Sequence, residues 1–326
     1  MAYPTLSRIH DAESLLASHL PVTSLIPVAG LAPSVVHLKL EIELPTGSFK
    51  FRGALYALAT WLRAEAVAEV TASSTGNHGA AVAWAARVLG VPATIFLPKY
   101  PNPVKRRWIF ELGARIVETG APDLTAAAYS NRAGVYFLND ATDPHIPAAT
   151  GTIGLEILSQ LPNVASIFVP IGDTALIRGV AAAVKQSNPA VRVMGVQAER
   201  APSYYLSWKA GRSIITETCD TCADGLATRV TQPENVSAIR ELVDDVVLVS
   251  EEEMLQAIRL LYEHAHVLAE PAGAAATAAF LKYSSSRDAN PAVVLVTGCN
   301  ISDAVRLRAG LAPEIGEIAD AQRSLF

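Results

Sequence analysis

The sequence predicts an α/β fold of two domains, each a twisted, mostly parallel sheet flanked by helices. Three observations carry that prediction. Short runs of β-branched and aliphatic residues alternate with alanine-rich helical runs along most of the chain. The chain has 326 residues, enough for two domains or one large α/β unit with a sizeable core. Small-residue turns follow several strand-like runs, and ligands of open parallel sheets gather at the carboxyl ends of strands.

Taken in order, Val35–Glu41 reads as a strand, and a helix follows from about Phe51 to Glu65. Val70–Ser73 is strand-like. The helix Gly79–Leu89 leads into a strand at Ala93–Pro98, and Arg115–Thr119 is a third short strand of this region. Ser166–Pro170, Arg192–Val196 and Val293–Val296 repeat the pattern with continuous apolar character, as strands buried on both faces require. Pro98, Pro101 and Pro103 mark a surface loop, and the stretch from Asp140 to Gly151 reads as a boundary between subdomains. No internal repeat or low-complexity segment is evident.

Composition excludes several classes of function. Apolar residues make up 51% of the chain, yet no apolar run has the length that spans a bilayer. The start, Met1-Ala2-Tyr3-Pro4-Thr5, lacks a basic stretch followed by an apolar one, so no signal peptide is expected. The net charge is −5, and the basic run Lys105-Arg106-Arg107 is short, which argues against a nucleic-acid partner. Three cysteines cannot build a disulfide framework, and a reducing cytoplasm is expected.

The most informative stretch is Pro45-Thr46-Gly47-Ser48-Phe49-Lys50-Phe51-Arg52-Gly53-Ala54. A lysine between two aromatics at a helix start can be partly desolvated, which lowers the amine pKa and frees it to form a Schiff base. A surface lysine at a helix start is the plainer alternative. The words Ser-Phe-Lys and Arg-Gly-Ala resemble the cofactor-lysine segment of the fold-type II pyridoxal-phosphate enzymes. That group includes the serine and threonine dehydratases (ammonia-lyases), serine racemases, threonine synthases and cysteine synthases. The resemblance runs from about Leu38 to Ser302. It implies a tryptophan synthase β-like fold, pyridoxal 5′-phosphate as cofactor and a homodimer. It also implies a small domain at 52–150 inserted in a large cofactor-binding domain of 1–51 and 151–326. With some two dozen residues after Ser302, no C-terminal regulatory extension is expected.

Ser74-Thr75-Gly76-Asn77-His78-Gly79 follows a strand and opens a helix, so it presents free N–H groups and positive dipole to an anion such as a substrate carboxylate. As pure structure it is an N-cap turn. By resemblance it is the family's asparagine loop. Asn77 would then bond the cofactor's 3′-oxygen, and Ser74, Thr75, Gly76 and His78 would bound the substrate. His78 itself reads as a packing or loop residue rather than a base. Val169-Pro170-Ile171-Gly172-Asp173-Thr174-Ala175-Leu176 lies where the family has a glycine run that closes on the phosphate. The resemblance assigns the phosphate to Gly172, Asp173, Thr174, Ala175 and Leu176, with Phe49 and Lys50 beside the ring. Asp173 departs from the pattern. A carboxylate repels a phosphate dianion unless it turns away or pairs with Arg178, while Thr174 adds a hydroxyl donor. Thr297, in Val296-Thr297-Gly298-Cys299-Asn300, takes the position of the hydroxyl that faces the pyridine nitrogen. A neutral hydroxyl makes the ring a weaker electron sink and favours rapid β-elimination.

Two supporting words, Ala223-Asp224-Gly225 and Glu270-Pro271-Ala272-Gly273, also match the family. Glu270 would either orient the cofactor or cap the helix after it. No metal is expected: Gln197 and Ser203 stand where metal-dependent relatives have carboxylates, although Glu199 lies between them. Cys219 and Cys222 have zinc-like spacing without a second ligand pair.

The function implied is a lyase that removes water from a 3-hydroxy-L-amino acid, serine, threonine or a bulkier analogue, releasing a 2-oxo acid and ammonia. Lys50 would hold the cofactor and take the Cα proton, and the cofactor phosphate or a nearby acid would protonate the leaving hydroxyl. Racemisation is the near alternative; it needs a second acid/base where this chain has Thr75, whose methyl hinders reprotonation. A β- or γ-replacement synthase and a non-catalytic ligand-binding relative are the others.

Overall fold

The structure is a computed structural model that describes residues 3–31, 35–74, 76–283 and 291–312. Its ten strands among the described residues form two sheets. Strands β1 (Leu25–Val28) and β2 (Val36–Leu40) pair antiparallel at one edge. Then follow β3 (Glu69–Ser73), β4 (Ala93–Pro98), β5 (Arg115–Thr119) and β6 (Val135–Phe137). These four make a parallel sheet in the order β5-β4-β3-β6. The remaining strands are β7 (Ser166–Pro170), β8 (Arg192–Ala198), β9 (Asp245–Val249) and β10 (Ala292–Val296). With β1 and β2 they make the six-stranded order β1-β2-β10-β7-β8-β9, parallel except at β1. All five residues of both β7 and β10 are buried, which matches the apolar sequence of β10 and, after Ser166, of β7.

Twelve helices among the described residues cover the sheets. They are α1 (Leu6–Leu16), α2 (Lys50–Ala64), α3 (Asn77–Leu89), α4 (Pro103–Glu111), α5 (Pro122–Tyr129) and α6 (Ile146–Gln160), then α7 (Ala175–Ser187), α8 (Ser203–Ala210), α9 (Pro233–Leu242), α10 (Glu251–Ala265), α11 (Pro271–Tyr283) and α12 (Asp303–Arg308). Local chemistry sets several boundaries. Asn102 caps α4 through Val104 N–H, with Pro103 at the first helical position. Gly90 ends α3 in the left-handed conformation, and Ser250 with Glu253 forms a capping box on α10. None of the described helices is long and apolar enough to cross a membrane.

The strands read from the sequence stand within two residues of their expected ends. Two devices then set the geometry around Lys50. The turn before α2 places Thr46 and Gly47 at positive φ and is stitched to the end of β10: Phe49 N–H donates to Thr297 O (3.1 Å) and Cys299 N–H to Gly47 O (3.0 Å). A Cβ on Gly47 would lie 2.6 Å from Cys299 Sγ, so the close approach needs glycine. Behind Lys50, Arg52 is a buried cation between two carboxylates. Its Nε is 2.8 Å from Glu41 Oε2 and its Nη1 2.5 Å from Glu156 Oε1. Lys39, fully buried, adds a contact of 2.6 Å to Glu156. Arg52 of the Arg-Gly-Ala word is thus a structural tie between α2, α6 and the β2 end.

Candidate active site

The loops at the carboxyl ends of β3, β6, β7 and β10 converge with the start of α2 on one cavity of about 660 Å³. Its wall includes Phe49, Lys50, Ser74, Asn77, His78, Gly172, Asp173, Thr174, Ala175, Leu176 and Thr297. Most of the residues singled out from the sequence therefore meet at one place. Thr75 lies outside the described residues, and Gly76 stands behind the wall, against Lys105.

Lys50 is the first residue of α2, and its Nζ donates to Asp140 Oδ2 at 2.5 Å. Two expectations need correction here. Lys50 is not sandwiched by its aromatic neighbours: its Nζ is 5.3 Å from the Phe49 ring, but Phe51 is fully buried, edge-on to Trp84 with ring centroids 4.0 Å apart. Nor is the amine pKa lowered. Burial acts in that direction, but the charges of Asp140 and Asp173 outweigh it and raise the pKa. Asp140 is driven the opposite way, well below the usual carboxylate range. Its burial would raise it, and the Lys50 ammonium with His78 more than reverses that.

The asparagine loop starts α3. Ser74 Oγ accepts from the N–H groups of Gly76 and Gly79, both at 2.8 Å, so its hydroxyl organises the turn. A Cβ on Gly76 would fall 2.1 Å from Lys105 Cδ, which explains a glycine there. The Asn77 amide is fixed at both ends: Oδ1 accepts from Asn300 Nδ2 (2.9 Å), and Nδ2 donates to Glu270 Oε1 in a short contact. One N–H of that amide remains for a ligand. His78 is buried, with Nε2 2.9 Å from Leu138 O, in keeping with a packing role, and burial lowers its pKa.

Glu270 is 2% exposed, and its carboxylate faces Asn77 and Lys105 rather than the start of α11; the Lys105 contact is 3.0 Å. Burial raises its pKa, against the pull of Lys105. Lys105 also reaches Asp224 Oδ2 at 2.7 Å, and these two carboxylates overcome burial to raise the lysine pKa.

The turn from β7 into α7 puts Thr174 at φ 71°, and no side chain caps the helix, so the N–H groups of its first turn are open to a ligand. A Cβ on Gly172 would meet Gly225 O at 2.3 Å; the Ala223-Asp224-Gly225 word packs directly on this loop. The Thr174 hydroxyl is engaged within the protein, with Asp173 O at 2.5 Å and Arg178 Nε at 3.1 Å, so the extra donor expected of it is spent. Asp173 does not turn away. Asp173 lines the cavity, and its Oδ1 accepts from the hydroxyl of Thr228, another lining residue, at 3.3 Å. Burial and the Asp140 charge push it up to about 6, with Lys50 pulling the other way. Thr297 Oγ1 has, among the described residues, one long contact of 3.5 Å to Ala272 O, and it faces the cavity.

These residues fit a phosphorylated aldehyde cofactor: a lysine amine in the cavity wall, open helix N–H groups over a glycine that tolerates no side chain, and an under-used hydroxyl on the same wall. The carboxylate of Asp173 in the β7–α7 loop is the discordant group; with its pKa raised to about 6 it takes up a proton more readily than an ordinary carboxylate, and an anion beside it would raise it further. Gln197 and Ser203, weighed as metal positions, serve the fold: Gln197 Oε1 accepts from Tyr205 N–H (2.9 Å) and Ser203 Oγ donates to Thr228 O (2.6 Å). The described residues hold no group of three or more metal-ligating side chains.

Sequence reasoning missed Asp140 and Lys105. Asp140 was legible in principle, since Asn139-Asp140-Ala141-Thr142-Asp143 follows a short strand and so sits at a carboxyl end. Lys105 had no such signal, because its partners are 119 and more residues away.

Comparison with known proteins agrees with this geometry. The family described as pyridoxal-phosphate dependent enzyme matches residues 16–298. The chain is 38% identical over 306 residues to the L-threonine ammonia-lyase of Thermotoga maritima, covering 91% of this chain and 76% of that protein. Among solved structures it is similar to a T.th. threonine deaminase, with TM-score 0.86 and 34% identity, over 92% of this chain and 99% of that one. It is also similar to maize serine racemase, with TM-score 0.88 and 26% identity, over 99% and 100%.

Proposed function

Because the chain belongs to the pyridoxal-phosphate dependent enzymes, we propose that it is the lyase that eliminates water from a 3-hydroxy-L-amino acid, L-threonine first among candidates, to give a 2-oxo acid and ammonia. The observation that carries the reading is the convergence of Lys50, the α3 start, the α7 start and Thr297 on one cavity. When bound, pyridoxal phosphate supplies the electron sink for negative charge at the substrate Cα.

The protein's own groups do the remaining work. Lys50 Nζ is the attachment point and then the base that takes the Cα proton. Asp140 holds that nitrogen in place and accepts its hydrogen bond. The N–H groups at the start of α3 receive the substrate carboxylate. Asn77, fixed by Glu270 and Asn300, offers its remaining N–H to the cofactor's 3′-oxygen. The open N–H groups from Gly172 to Leu176 would receive the phosphate, and the Thr297 hydroxyl would be the partner of the ring nitrogen, a neutral group that does not favour its protonation as a carboxylate would. Phe49 supplies an apolar surface beside the Lys50 amine, its ring 5.3 Å from Nζ.

Racemisation is the second reading, on the likeness to serine racemase, but that likeness is at lower identity than the likeness to threonine ammonia-lyase. The division into 1–51 with 151–326 and an inserted 52–150 belongs to the same proposal, supported by a four-stranded sheet that falls within 52–150. A cytoplasmic homodimer is proposed on family likeness.

The test is direct. Protein incubated with pyridoxal phosphate should turn yellow, borohydride should fix the cofactor on the peptide holding Lys50, and L-threonine should yield 2-oxobutanoate with ammonia. Lys50→Ala should lower turnover by at least ~10⁴-fold, the scale of losing a covalent and acid–base group together. A colourless protein that takes up no cofactor, or inversion of substrate without ammonia, would overturn the assignment.

A further inference from the structure

Among the carboxylates lining the cavity, the two that act most strongly on Lys50 come from different strands: Asp140 follows β6 and Asp173 follows β7. Their surroundings differ. Asp140 lies 2.5 Å from Lys50 Nζ and is matched by that charge. Asp173 receives one hydroxyl, from Thr228 at 3.3 Å.

We propose that Asp173 is the general acid that delivers a proton to the departing β-hydroxyl of the substrate, an inference that rests on the elimination reading above. Hydroxide is a poor leaving group, so an elimination of water needs a proton donor on the face of the cavity where the Cβ–O bond breaks. Asp173 is a side chain of the loop proposed to receive the phosphate, where the family pattern has bare backbone, and it lines the same cavity as Lys50, near enough for their charges to act on each other.

Every charged or titratable group facing Asp173 bears on its proton. Lys50 on α2 and Arg178 on α7 favour the carboxylate; Asp140 and, on α5, Asp123 oppose it; Tyr204 on α8 is a neutral neighbour at ordinary pH. Burial and Asp140 dominate, so Asp173 is raised to about 6 while Asp140 stays ionised. A phosphate dianion in the same loop adds to the rise. Where surroundings drive two carboxylates apart in this way, acid and base work divide between them.

The step balances without an added reactant. Lys50 Nζ takes the Cα proton, and the electron pair of that bond becomes the Cα=Cβ bond. The Cβ–O bond breaks, its oxygen takes the Asp173 proton, and water leaves. Lys50 then carries one proton too many and Asp173 one too few, and a transfer between these neighbours resets the site.

The experiment compares leaving groups in the cofactor-loaded enzyme. Chloride departs without a proton, so Asp173→Asn should lower kcat on L-serine or L-threonine about 10²-fold or more while 3-chloro-L-alanine stays within a few-fold of wild type. The fall of wild-type kcat with rising pH on the hydroxy substrate should vanish in the variant. Cofactor absorbance and melting of the variant check that the site is loaded and folded, and Asp173→Gly repeats the comparison with the carboxylate removed and the backbone relaxed. Equal losses on both substrates, or none on either, would overturn the role. Wild-type enzyme inactive on both substrates would instead sink the elimination reading itself.

Discussion

At the scale of the residue, Lys50 shows how far a sequence word reaches. Ser-Phe-Lys locates the amine, but its electrostatics come from Asp140, 90 positions away, and from Asp173. The flanking phenylalanines suggested desolvation as the dominant effect; a carboxylate at 2.5 Å outweighs it. Asp173 carries a consequence for stability. An acid whose folded pKa is above its unfolded value of about 3.9 binds its proton more tightly in the native state. The stability this contributes is present at low pH and is lost as pH rises from about 4 through the folded value of about 6. The cofactor-free protein should therefore gain melting temperature at pH 7.5 when Asp173 becomes Asn, and gain little at pH 4.5. A variant that melts below wild type at both pH values would show that the carboxylate is satisfied by partners other than Lys50.

At the scale of the element, α2 joins chemistry to scaffold. Its first residue faces the cavity, and its third, Arg52, is 2% exposed among Glu41, Glu156 and Thr152. Burying these charges is tolerable because the guanidinium fork meets both carboxylates, and removing the cation leaves them unmatched. Arg52→Met should cost about 3–5 kcal/mol, read as a large fall in the denaturant midpoint with the slope unchanged. Glu156 adds a pH signature. Burial pushes its pKa up, and Arg52 with Lys39 brings it below the ordinary value. Its contribution is thus present above the unfolded carboxylate pKa of about 4.3 and lost as pH falls toward the folded value. Wild type should lose more stability than Arg52→Met on acidification below that point. Equal acid sensitivity in the two proteins would remove Arg52 as the source of the shift. Strands such as β4 and β7 were legible because apolar runs end at turn residues. The tie itself was not, since Arg52 in a helix reads as a solvated charge until α6 is packed against it.

At the scale of the whole molecule, the two sheets meet at the cavity, and Lys105 is a buried cation that crosses between them. It rises from α4, beside the four-stranded sheet, and ends between Asp224 and Glu270, which precede β9 and β10 of the other. Glu270 in turn fixes Asn77, so the same contact that joins the two halves holds the amide assigned to the cofactor. The family resemblance put Asn77 on the cofactor and left Glu270 between orienting it and capping a helix, and no local spacing could show that Lys105 and Glu270 meet behind Asn77. Lys105→Met would leave Glu270 buried without its counter-charge, and the cost should again be about 3–5 kcal/mol at neutral pH. Glu270 already has a raised pKa, so its protonation relieves the loss, and the variant should recover stability relative to wild type as pH falls from neutral into the acid range. Lys105→Met combined with Glu270→Gln should recover part of it at pH 7.5, because the double change removes the orphaned charge while leaving an amide to bond Asn77. If Lys105 acts through Asn77, the single variant should also weaken cofactor retention, measured by dialysis and absorbance, more than it lowers kcat at saturating cofactor. Unchanged melting together with unchanged cofactor retention would reduce Lys105 to a bystander and leave Asn300 as the group that holds the amide.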